Sequence, residues 1–338
     1  MGLIGRGIAN SKMPAIQEFG LKQAGLRGSY SLLDVSRMDV EQTDSDACAA
    51  LVRECLARNL CGFNVTMPFK LVVLPHLDAL SPAAKAIGSV NTVVVHRCSH
   101  GESPWLVGHN TDCVGWENAI TDAFPRERDR ARALARVALV GAGGAGRAVA
   151  VALLQQGCAH LVLTDAMPEL AEGLAADLRL LGWPGVTART GEKLEAVMAS
   201  CTGAVNASPV GMLGFAVGSH SMQRFPSSVC WAGDTVYTPR ITPFIALAQR
   251  QGLTSVLGES MWLGQAMASF EIMTGSKLGQ RSRSKWSQEA HRLLVKAPMS
   301  GPDTAHGHGP DTGTGTSRRT STCMGGRCRP DGVLTSKL

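Results

Sequence analysis

The fold is decided by the stretch Val140-Gly141-Ala142-Gly143-Gly144-Ala145-Gly146-Arg147-Ala148, which follows an apolar run that starts at Val137. Its glycines have the G-x-G-x-x-G spacing, and a helical pattern follows as far as Gln156. A second apolar run, Leu161-Val162-Leu163, then leads to Asp165. This order is typical of a dinucleotide-binding unit, which has a strand, a glycine turn, a helix and a second strand followed by an acidic residue.

Each glycine of this turn has a predicted task. Gly141 permits the tight turn, Gly143 lets a pyrophosphate approach the backbone, and Gly146 lets the helix pack closely on the strand. The start of the helix presents free N–H groups and a partial positive charge to phosphates. A G-x-G-x-x-G alone is often only a glycine-rich turn, but the two flanking strands favour a dinucleotide.

The composition is that of a soluble globular protein with room for about two domains, at 338 residues and 44% hydrophobic content. No apolar run approaches the roughly 18 residues of a membrane span, and no charged-then-apolar leader marks the start. The ten cysteines are scattered without a C-x-x-C pair, which is typical of reduced thiols in a cytoplasmic protein. Cys323 and Cys328 would form only half of a metal site, so we expect no metal.

The positive charge is confined to the C-terminal end of the chain. The net charge is +6, but the residues after Gly275 carry eleven Lys and Arg against four Asp and Glu. Residues 1–275 therefore have a net charge of −1. A neutral body gives no reason to expect a nucleic-acid or membrane partner.

Alternating strand and helix patterns divide the chain into segments. Residues 1–112 predict an α/β domain with a mostly parallel sheet, and the alternation continues through 113–258, which begins with a charged helical segment over Thr121–Arg136. A helical stretch from Ser260 closes at Gly275. Residues 297–338 lack both periodicity and apolar side chains, which predicts disorder.

Three polar residues lie where α/β sheets bind ligands. Lys70 follows a polar-tipped strand and Pro68, which we expect in the first turn of a helix. Asp112 follows a short strand end, and Asn91 lies in the strand predicted over Ser89–Val95. Each also has a structural interpretation: Lys70 as a solvated helix residue, Asp112 as a helix cap, and Asn91 as a buried hydrogen-bonding group.

Seven blocks of sequence carry a family resemblance. They occur in the order N-V-T-x-P-F-K, G-x-V-N-T, G-x-N-T-D-x-x-G, G-A-G-G-A-G-R-A, N-A-S-P-x-G-M, D-x-x-Y-x-P and M-x-x-x-Q-A. From Leu3 to about Gly275 the chain resembles the shikimate/quinate dehydrogenase family. The resemblance implies an N-terminal α/β substrate domain with a mostly parallel sheet, a Rossmann-type NAD(P)-binding domain, and an active site in the cleft between them. A C-terminal helix over about 260–290 would return to the first domain.

The resemblance also assigns residues. Lys70 and Asp112 match the catalytic pair, in which a base accepts the hydroxyl proton while hydride leaves to the nicotinamide. Asp112 would bind substrate hydroxyls and orient the lysine. The positions matched around the substrate are Asn64, Asn91 and Gln265 for hydroxyl groups, and Ser11, Thr66 and Tyr237 for a carboxylate. The positions matched around the cofactor are Gly141, Gly143, Gly144, Ala145, Gly146, Asp165, Asn206, Met212 and Gly258.

Two of these assignments have ordinary alternatives. Without the family, Gln265 would be a polar residue in a Met- and Ala-rich helix, and Tyr237 a packed core tyrosine. The expected partner is a small polyhydroxylated cyclohexane or cyclohexene carboxylate, reversibly oxidised at a ring hydroxyl. The sequence leaves the oligomeric state open, a homo-oligomer included.

The chain departs from the family at the carboxylate. The family usually has S-x-S/T-P near the start, but here the run is Ser11-Lys12-Met13-Pro14, so a thioether replaces the second hydroxyl. Loss of one donor to a charged group costs about 1.5–3 kcal/mol when nothing compensates. We therefore expect weaker shikimate or quinate binding, or a related substrate with a less polar tail.

A second departure concerns the cofactor. NADP-using relatives typically carry N-R-T after the second strand of the cofactor domain, whereas this chain has Thr164-Asp165-Ala166. An aspartate there binds ribose hydroxyls and repels a 2′-phosphate. No Lys or Arg lies between Asp165 and Arg179. We expect NAD rather than NADP.

Two other functions are alternatives to a shikimate-type dehydrogenase. A methylene-tetrahydrofolate dehydrogenase has a similar cofactor domain and lysine, but the G-x-N-T-D and D-x-x-Y-x-P blocks argue against it. A catalytically silent nucleotide-binding regulator would account for Met13. Retention of both Lys70 and Asp112 favours the enzyme.

Overall fold

The computed structural model describes residues 1–37, 43–97, 103–213 and 220–295. These residues belong to one compact unit that contains two six-stranded sheets. The tail predicted to be disordered and the Cys323–Cys328 pair lie outside the described residues.

The first sheet is built from the N-terminal third of the chain. Its strands are β1 (Gly2–Gly5), β2 (Ser31–Asp34), β3 (Gly62–Val65), β4 (Ala79–Leu80), β5 (Thr92–His96) and β6 (Trp105–His109). The helices of this part are α1 (Met13–Gln23), α2 (Asp44–Ala57), α3 (Phe69–Val72), α4 (Pro82–Ile87) and α5 (Asp112–Ala123). The strand order is β2-β1-β3-β5-β6-β4, and β5 runs antiparallel to both of its neighbours.

The second sheet follows and is parallel throughout. Its strands are β7 (Arg136–Val140), β8 (His160–Thr164), β9 (Val186–Ala188), β10 (Gly203–Asn206), β11 (Trp231–Asp234) and β12 (Thr254–Val256). The helices are α6 (Glu127–Ala133), α7 (Gly144–Gln155), α8 (Pro168–Leu180), α9 (Leu194–Met198), α10 (Pro243–Arg250), α11 (Gly258–Thr274) and α12 (Gln280–Val295). The order β9-β8-β7-β10-β11-β12 is that of a Rossmann fold, with the switch point between β7 and β10.

The predicted α/β class with two mostly parallel sheets is confirmed, and four predicted elements differ. The single C-terminal helix expected over about 260–290 is two helices, α11 and α12, because Gly275 ends α11 in the left-handed conformation. The charged helix predicted over Thr121–Arg136 is interrupted, because Pro125 lies between α5 and α6 and cannot continue a helix. The strand expected from Ser89 begins only at Thr92. Pro68 precedes α3 rather than lying in its first turn.

Helix α11 returns to the first sheet by crossing α5 at very short range. A Cβ on Gly115 would lie 2.4 Å from the carbonyl oxygen of Met261, and one on Gly264 would lie 2.9 Å from the Cα of Gly115. Only glycines allow two helix backbones to approach this closely. The crossing brings Gln265, the next residue along α11, to the carboxyl end of the first sheet.

The core is apolar around both sheets. Helix α7 is buried on nearly all sides, and Trp116, Trp231 and Trp286 are fully buried. Among the described residues, no helix is long and apolar enough to cross a membrane. In the same part of the chain, no group of three or more His, Cys, Asp or Glu is arranged to hold a metal ion.

Candidate active site

Polar residues from three strands meet at one edge of the first sheet. Because β5 runs antiparallel to β3, its first residue, Thr92, pairs with Asn64 near the end of β3. On its other side Thr92 pairs with His109, the last residue of β6. The three blocks that contain Lys70, Asn91 and Asp112 therefore converge at this edge.

Lys70 and Asp112 are in direct contact. The Nζ atom of Lys70 lies 2.6 Å from Oδ2 of Asp112, although 42 residues separate them. The lysine side chain is 17% exposed and the aspartate side chain 6% exposed. The pair is therefore mostly buried, and water has limited access to it.

The cap of α5 comes from Asn110 and not from Asp112. The Oδ1 atom of Asn110 accepts the backbone N–H of Asp112 at 3.1 Å and that of Cys113 at 3.4 Å. The Asp112 side chain is the first of α5 and is left to bind Lys70. The helix-cap interpretation of Asp112 is therefore wrong.

Asn91 and Gln265 join the same polar network. The Oδ1 atom of Asn91 accepts the backbone N–H of Thr111 at 2.8 Å and also the hydroxyl groups of Thr111 and Thr92. Its Nδ2 lies 3.5 Å from Oε1 of Gln265. Gln265 is 8% exposed and has come from α11, so this part of the site depends on the helix crossing.

Both the nitrogen and the oxygen of the Asn64 side-chain amide are hydrogen-bonded. Its Nδ2 donates to the carbonyl of Asn91 at 3.2 Å and to the hydroxyl of Thr92 at 3.0 Å. Its Oδ1 accepts the hydroxyl of Tyr30 at 2.7 Å. Burial raises the pKa of Tyr30 well above its usual value, so this phenol stays a donor. Tyr30 was not singled out from the sequence, because no local pattern links it to Asn64.

The predicted carboxylate positions contain hydroxyl groups and no cation. Burial raises the pKa of Tyr237 to about 12, and a hydrogen bond with Ser11 opposes this shift. The ring of Tyr237 stacks on Trp262, with centroids 5.2 Å apart. Thr66 follows β3 and packs its methyl group against Gly5.

The Met13 side chain lies in mostly apolar surroundings. It is 5% exposed and belongs to an apolar cluster with Trp262 and Met267. Its Sδ atom lies 3.6 Å from Nε2 of Gln17, and its backbone N–H donates to the Ser11 hydroxyl at 3.2 Å. A thioether in this position offers no donor to an anion.

The glycine turn has the geometry that its spacing predicts. Gly141 has φ +100°, and α7 begins at Gly144 with Gly143 as its N-cap. A Cβ on Gly146 would lie 2.0 Å from the carbonyl oxygen of Gly141, whereas one on Gly143 would meet nothing within 4 Å. Open space beside Gly143 and free N–H groups at the start of α7 fit a pyrophosphate.

Asp165 is linked to this turn. Its Oδ2 accepts the backbone N–H of Ala142 at 2.7 Å, and its Oδ1 accepts that of Met167 at 2.9 Å.

Arg189, which sequence reasoning missed, follows β9 and donates its backbone N–H to Leu163 at the end of β8. The missed signal was topological, because β9 pairs with β8 although 21 residues lie between the two strands. Its guanidinium is paired with Glu192 at 2.8 Å.

The remaining predicted cofactor positions lie at or beyond the ends of β10 and β12. Asn206 is fully buried and donates to Asp234, whose pKa burial raises to about 7. Met212 lies in the loop that follows Asn206, and Gly258 starts α11 against the carbonyl of Val236. The Asn206 side chain also bonds Val210 and Ser208 in the loop that follows it.

The two halves of the site meet at Gly144. A Cβ on Gly144 would lie 2.6 Å from the Cβ of Lys70, so the glycine turn touches the lysine stem directly. Sequence alone could not show this, because the two residues lie in helices that pack on different sheets. A parallel sheet with a dinucleotide turn, packed against a buried Lys–Asp pair, defines an NAD(P)-dependent oxidoreductase.

Comparison with known proteins gives the family. Residues 3–93 match the family model described as the shikimate dehydrogenase substrate binding domain. A shikimate dehydrogenase (NADP(+)) of Streptomyces avermitilis is 36% identical over 280 residues, which cover 81% of this chain and 90% of the relative. A quinate/shikimate dehydrogenase (NAD(+)) of Corynebacterium glutamicum is 34% identical over 281 residues, which cover 81% of this chain and 93% of the relative.

A solved structure agrees with these sequences. The quinate dehydrogenase of Corynebacterium glutamicum in complex with NAD is 31% identical, with a TM-score of 0.71 over 87% of this chain and 98% of that chain. The chain belongs to the shikimate dehydrogenase family, and it is an oxidoreductase that acts on CH–OH donors. The folate-type alternative is thereby set aside.

Proposed function

We propose that this protein is an NAD-dependent shikimate/quinate-type dehydrogenase that reversibly oxidises a ring hydroxyl of a polyhydroxylated cyclohexane or cyclohexene carboxylate. The observation that carries the proposal is the Lys70–Asp112 contact at 2.6 Å, placed directly against the first turn of α7. Both parts of the reaction, proton transfer and hydride transfer, need groups that converge at this point.

Lys70 acts as the base in the oxidative direction. Its Nζ accepts the proton of the reacting hydroxyl group, and as an ammonium it returns that proton in the reverse direction. Asp112 accepts hydrogen bonds from substrate hydroxyls and fixes the direction of Nζ. The nicotinamide, when bound, takes up the hydride. No observation favours a silent regulator, because the acid–base pair is assembled.

The surrounding residues bind and orient the substrate. Asn64, Asn91 and Gln265 offer amide groups to ring hydroxyls from a network that fixes their orientation. The hydroxyl groups of Ser11, Thr66 and Tyr237 face the acid. Residues 1–112, completed by α11 and α12, form the substrate domain, and 113–258 form the cofactor domain.

The cofactor is held by the turn from Gly141 to Gly146 and by groups at or beyond the ends of β10 and β12, namely Asn206, Met212 and Gly258. Gly143, Gly144 and Ala145 supply backbone N–H groups to the pyrophosphate. Asp165 faces the ribose and disfavours a 2′-phosphate. Relatives of this chain include proteins named for NADP and proteins named for NAD, so their names do not decide its cofactor. The preference proposed for NAD therefore rests on Asp165.

Asp165→Asn should relax the preference for NAD. The change removes one negative charge while the amide oxygen still accepts the N–H of Ala142. Repulsion of about 1.4 kcal/mol at a partly solvated site is worth a factor of ten, so the ratio of kcat/KM for NAD over NADP should fall about tenfold. Steady-state kinetics with both cofactors measure that ratio.

The matched control is Glu169→Gln, which removes an exposed carboxylate from the first turn of α8 without touching the glycine turn. We expect its NAD/NADP ratio to equal that of the unchanged protein. An unchanged protein that uses NADP as well as NAD would refute the role given to Asp165.

Met13→Ser should strengthen binding of acids. A restored hydroxyl donates to the carboxylate and contributes about 1.5–3 kcal/mol, which corresponds to roughly a 10- to 100-fold lower KM for shikimate or quinate. Met13→Ala is the comparison variant, because it leaves the same cavity without the hydroxyl. Equal KM values in the two variants would contradict the assignment of this position to the carboxylate.

The function is tested by following the absorbance of reduced nicotinamide with shikimate and with quinate, each in the presence of NAD or NADP. We expect turnover of at least one acid, faster with NAD. Tight NAD binding without turnover of either acid would refute the proposed substrate class and favour the silent regulator.

A further inference from the structure

Arg147 lies in the first turn of α7 and crosses to the other sheet. Its Nε donates to the carbonyl of Ile87, the last residue of α4, at 2.8 Å. Its Nη2 pairs with Asp177 of α8 at 2.5 Å, and the side chain is 17% exposed. The guanidinium therefore joins the cofactor half of the molecule to the end of a helix in the substrate half.

Gly88 provides the surface on which Arg147 lies. It ends α4 in the left-handed conformation, with φ +69°, and a Cβ there would lie 2.8 Å from Nη2 of Arg147. Any side chain at this position would displace the guanidinium as well as strain the backbone. The contact therefore depends on both Arg147 and Gly88, unlike a simple surface ion pair.

The residues after Gly88 lead directly to the acid–base pair. The hydroxyl of Ser89 donates to the carbonyl of Gly144 at 2.9 Å, which makes a second link to α7. The backbone N–H of Val90 donates to the carbonyl of Lys70 at 2.9 Å. Asn110, which caps the helix of Asp112, donates to both oxygens of Ser89. One short segment therefore contacts the supports of both Lys70 and Asp112.

We propose that Arg147 is a positioning residue: it docks the Gly88–Val90 segment on the first turn of α7 and so sets Lys70 and Asp112 against the cofactor. The inference rests on the proposed function for its kinetic consequence. Hydride transfer needs the reacting carbon and the nicotinamide at contact distance, and a misplacement of about 1 Å can cost 100-fold in rate. A link between the two halves of the site controls that distance.

The kinetic test compares Arg147→Met with Arg147→Lys in the full chain. Methionine keeps the apolar stem but donates nothing, so kcat should fall roughly 10- to 100-fold. The deuterium isotope effect on kcat, measured with substrate deuterated at the reacting carbon, should rise as hydride transfer becomes slower than product release. Lysine can still donate to Ile87 and should restore part of both values.

The matched control is Asp177→Asn, which removes the exposed ion-pair partner and leaves the bond to Ile87. Because exposed pairs are worth little, its kcat and isotope effect should be unchanged. A loss confined to thermal stability in Arg147→Met, with kcat and isotope effect intact, would refute the proposal. So would a large rise in the Kd for NAD, since Arg147 would then be a cofactor ligand.

A second measurement does not depend on turnover. Hydrogen exchange of the backbone amides of Val90 and Asn91 should be faster in Arg147→Met than in the unchanged protein, with and without NAD. Equal exchange would overturn the proposal even in a protein that is inactive on both acids. Faster exchange without any turnover would support the docking contact while refuting the proposed function, so the two failures are distinguishable.

Discussion

Lys70→Met should abolish turnover while leaving the protein folded and able to bind NAD. Removal of a general base costs roughly 100- to 10,000-fold in kcat. Methionine retains the stem that packs against Gly144, so the contact between the two sheets is preserved. Initial rates with the best acid of the substrate panel measure the loss, and titration of NAD against tryptophan fluorescence measures the retained binding.

Lys22→Met is the matched control, because Lys22 is an exposed lysine of α1 with no part in the site. Its kcat should equal that of the unchanged protein. General acid–base catalysis contributes at least about 100-fold. If kcat of Lys70→Met lies within a factor of about ten of the control, another group takes the proton. Equal loss of kcat and NAD affinity would show misfolding.

Gly146→Ala should remove dinucleotide binding. The new methyl group would lie 2.0 Å from the carbonyl oxygen of Gly141, a backbone atom that cannot rotate away. The turn must open, so we expect a loss of about 1–3 kcal/mol in the free energy of unfolding. The Kd for NAD should rise at least about tenfold, since 1.4 kcal/mol corresponds to that factor. Denaturant unfolding and NAD titration check the two effects.

Gly173→Ala provides the comparison on the neighbouring helix α8. A Cβ there would meet nothing within 4 Å, and alanine in a helix interior gains about 0.5–1 kcal/mol over glycine. This variant should be at least as stable as the unchanged protein and should bind NAD equally well. Gly146→Ala with unaltered affinity for NAD would refute the role of the turn.

Local patterns were sufficient for the first strand–helix–strand unit of the second sheet. The turn at Gly141 and the strand that ends just before Asp165 both lie in this unit, so periodicity and glycine spacing predicted it from neighbouring residues. The fold class and the family membership are confirmed. The roles of the individual site residues stay predictions, although the structure brings Lys70, Asp112, Asn91 and Gln265 together.

What the sequence did not predict depends on contacts between distant segments. Asn110 takes the cap of α5, and no local rule distinguishes this asparagine from Asp112 two residues later. Arg189 reaches the end of β8 through strand pairing, which no pattern in the stretch directly after Asp165 indicates. Arg147 bonds to Ile87 across the two sheets, a contact that periodicity cannot show.

The crossing of α11 over α5 has a consequence for synthesis of the protein. Gln265 lies beside Asn91, whose other hydrogen-bond partners, Thr92 and Thr111, precede Asp112, yet it is added only after the whole second sheet. A nascent chain therefore leaves the ribosome with this polar network incomplete until α11 has emerged and packed against Gly115. Such late, long-range closure is slow to form.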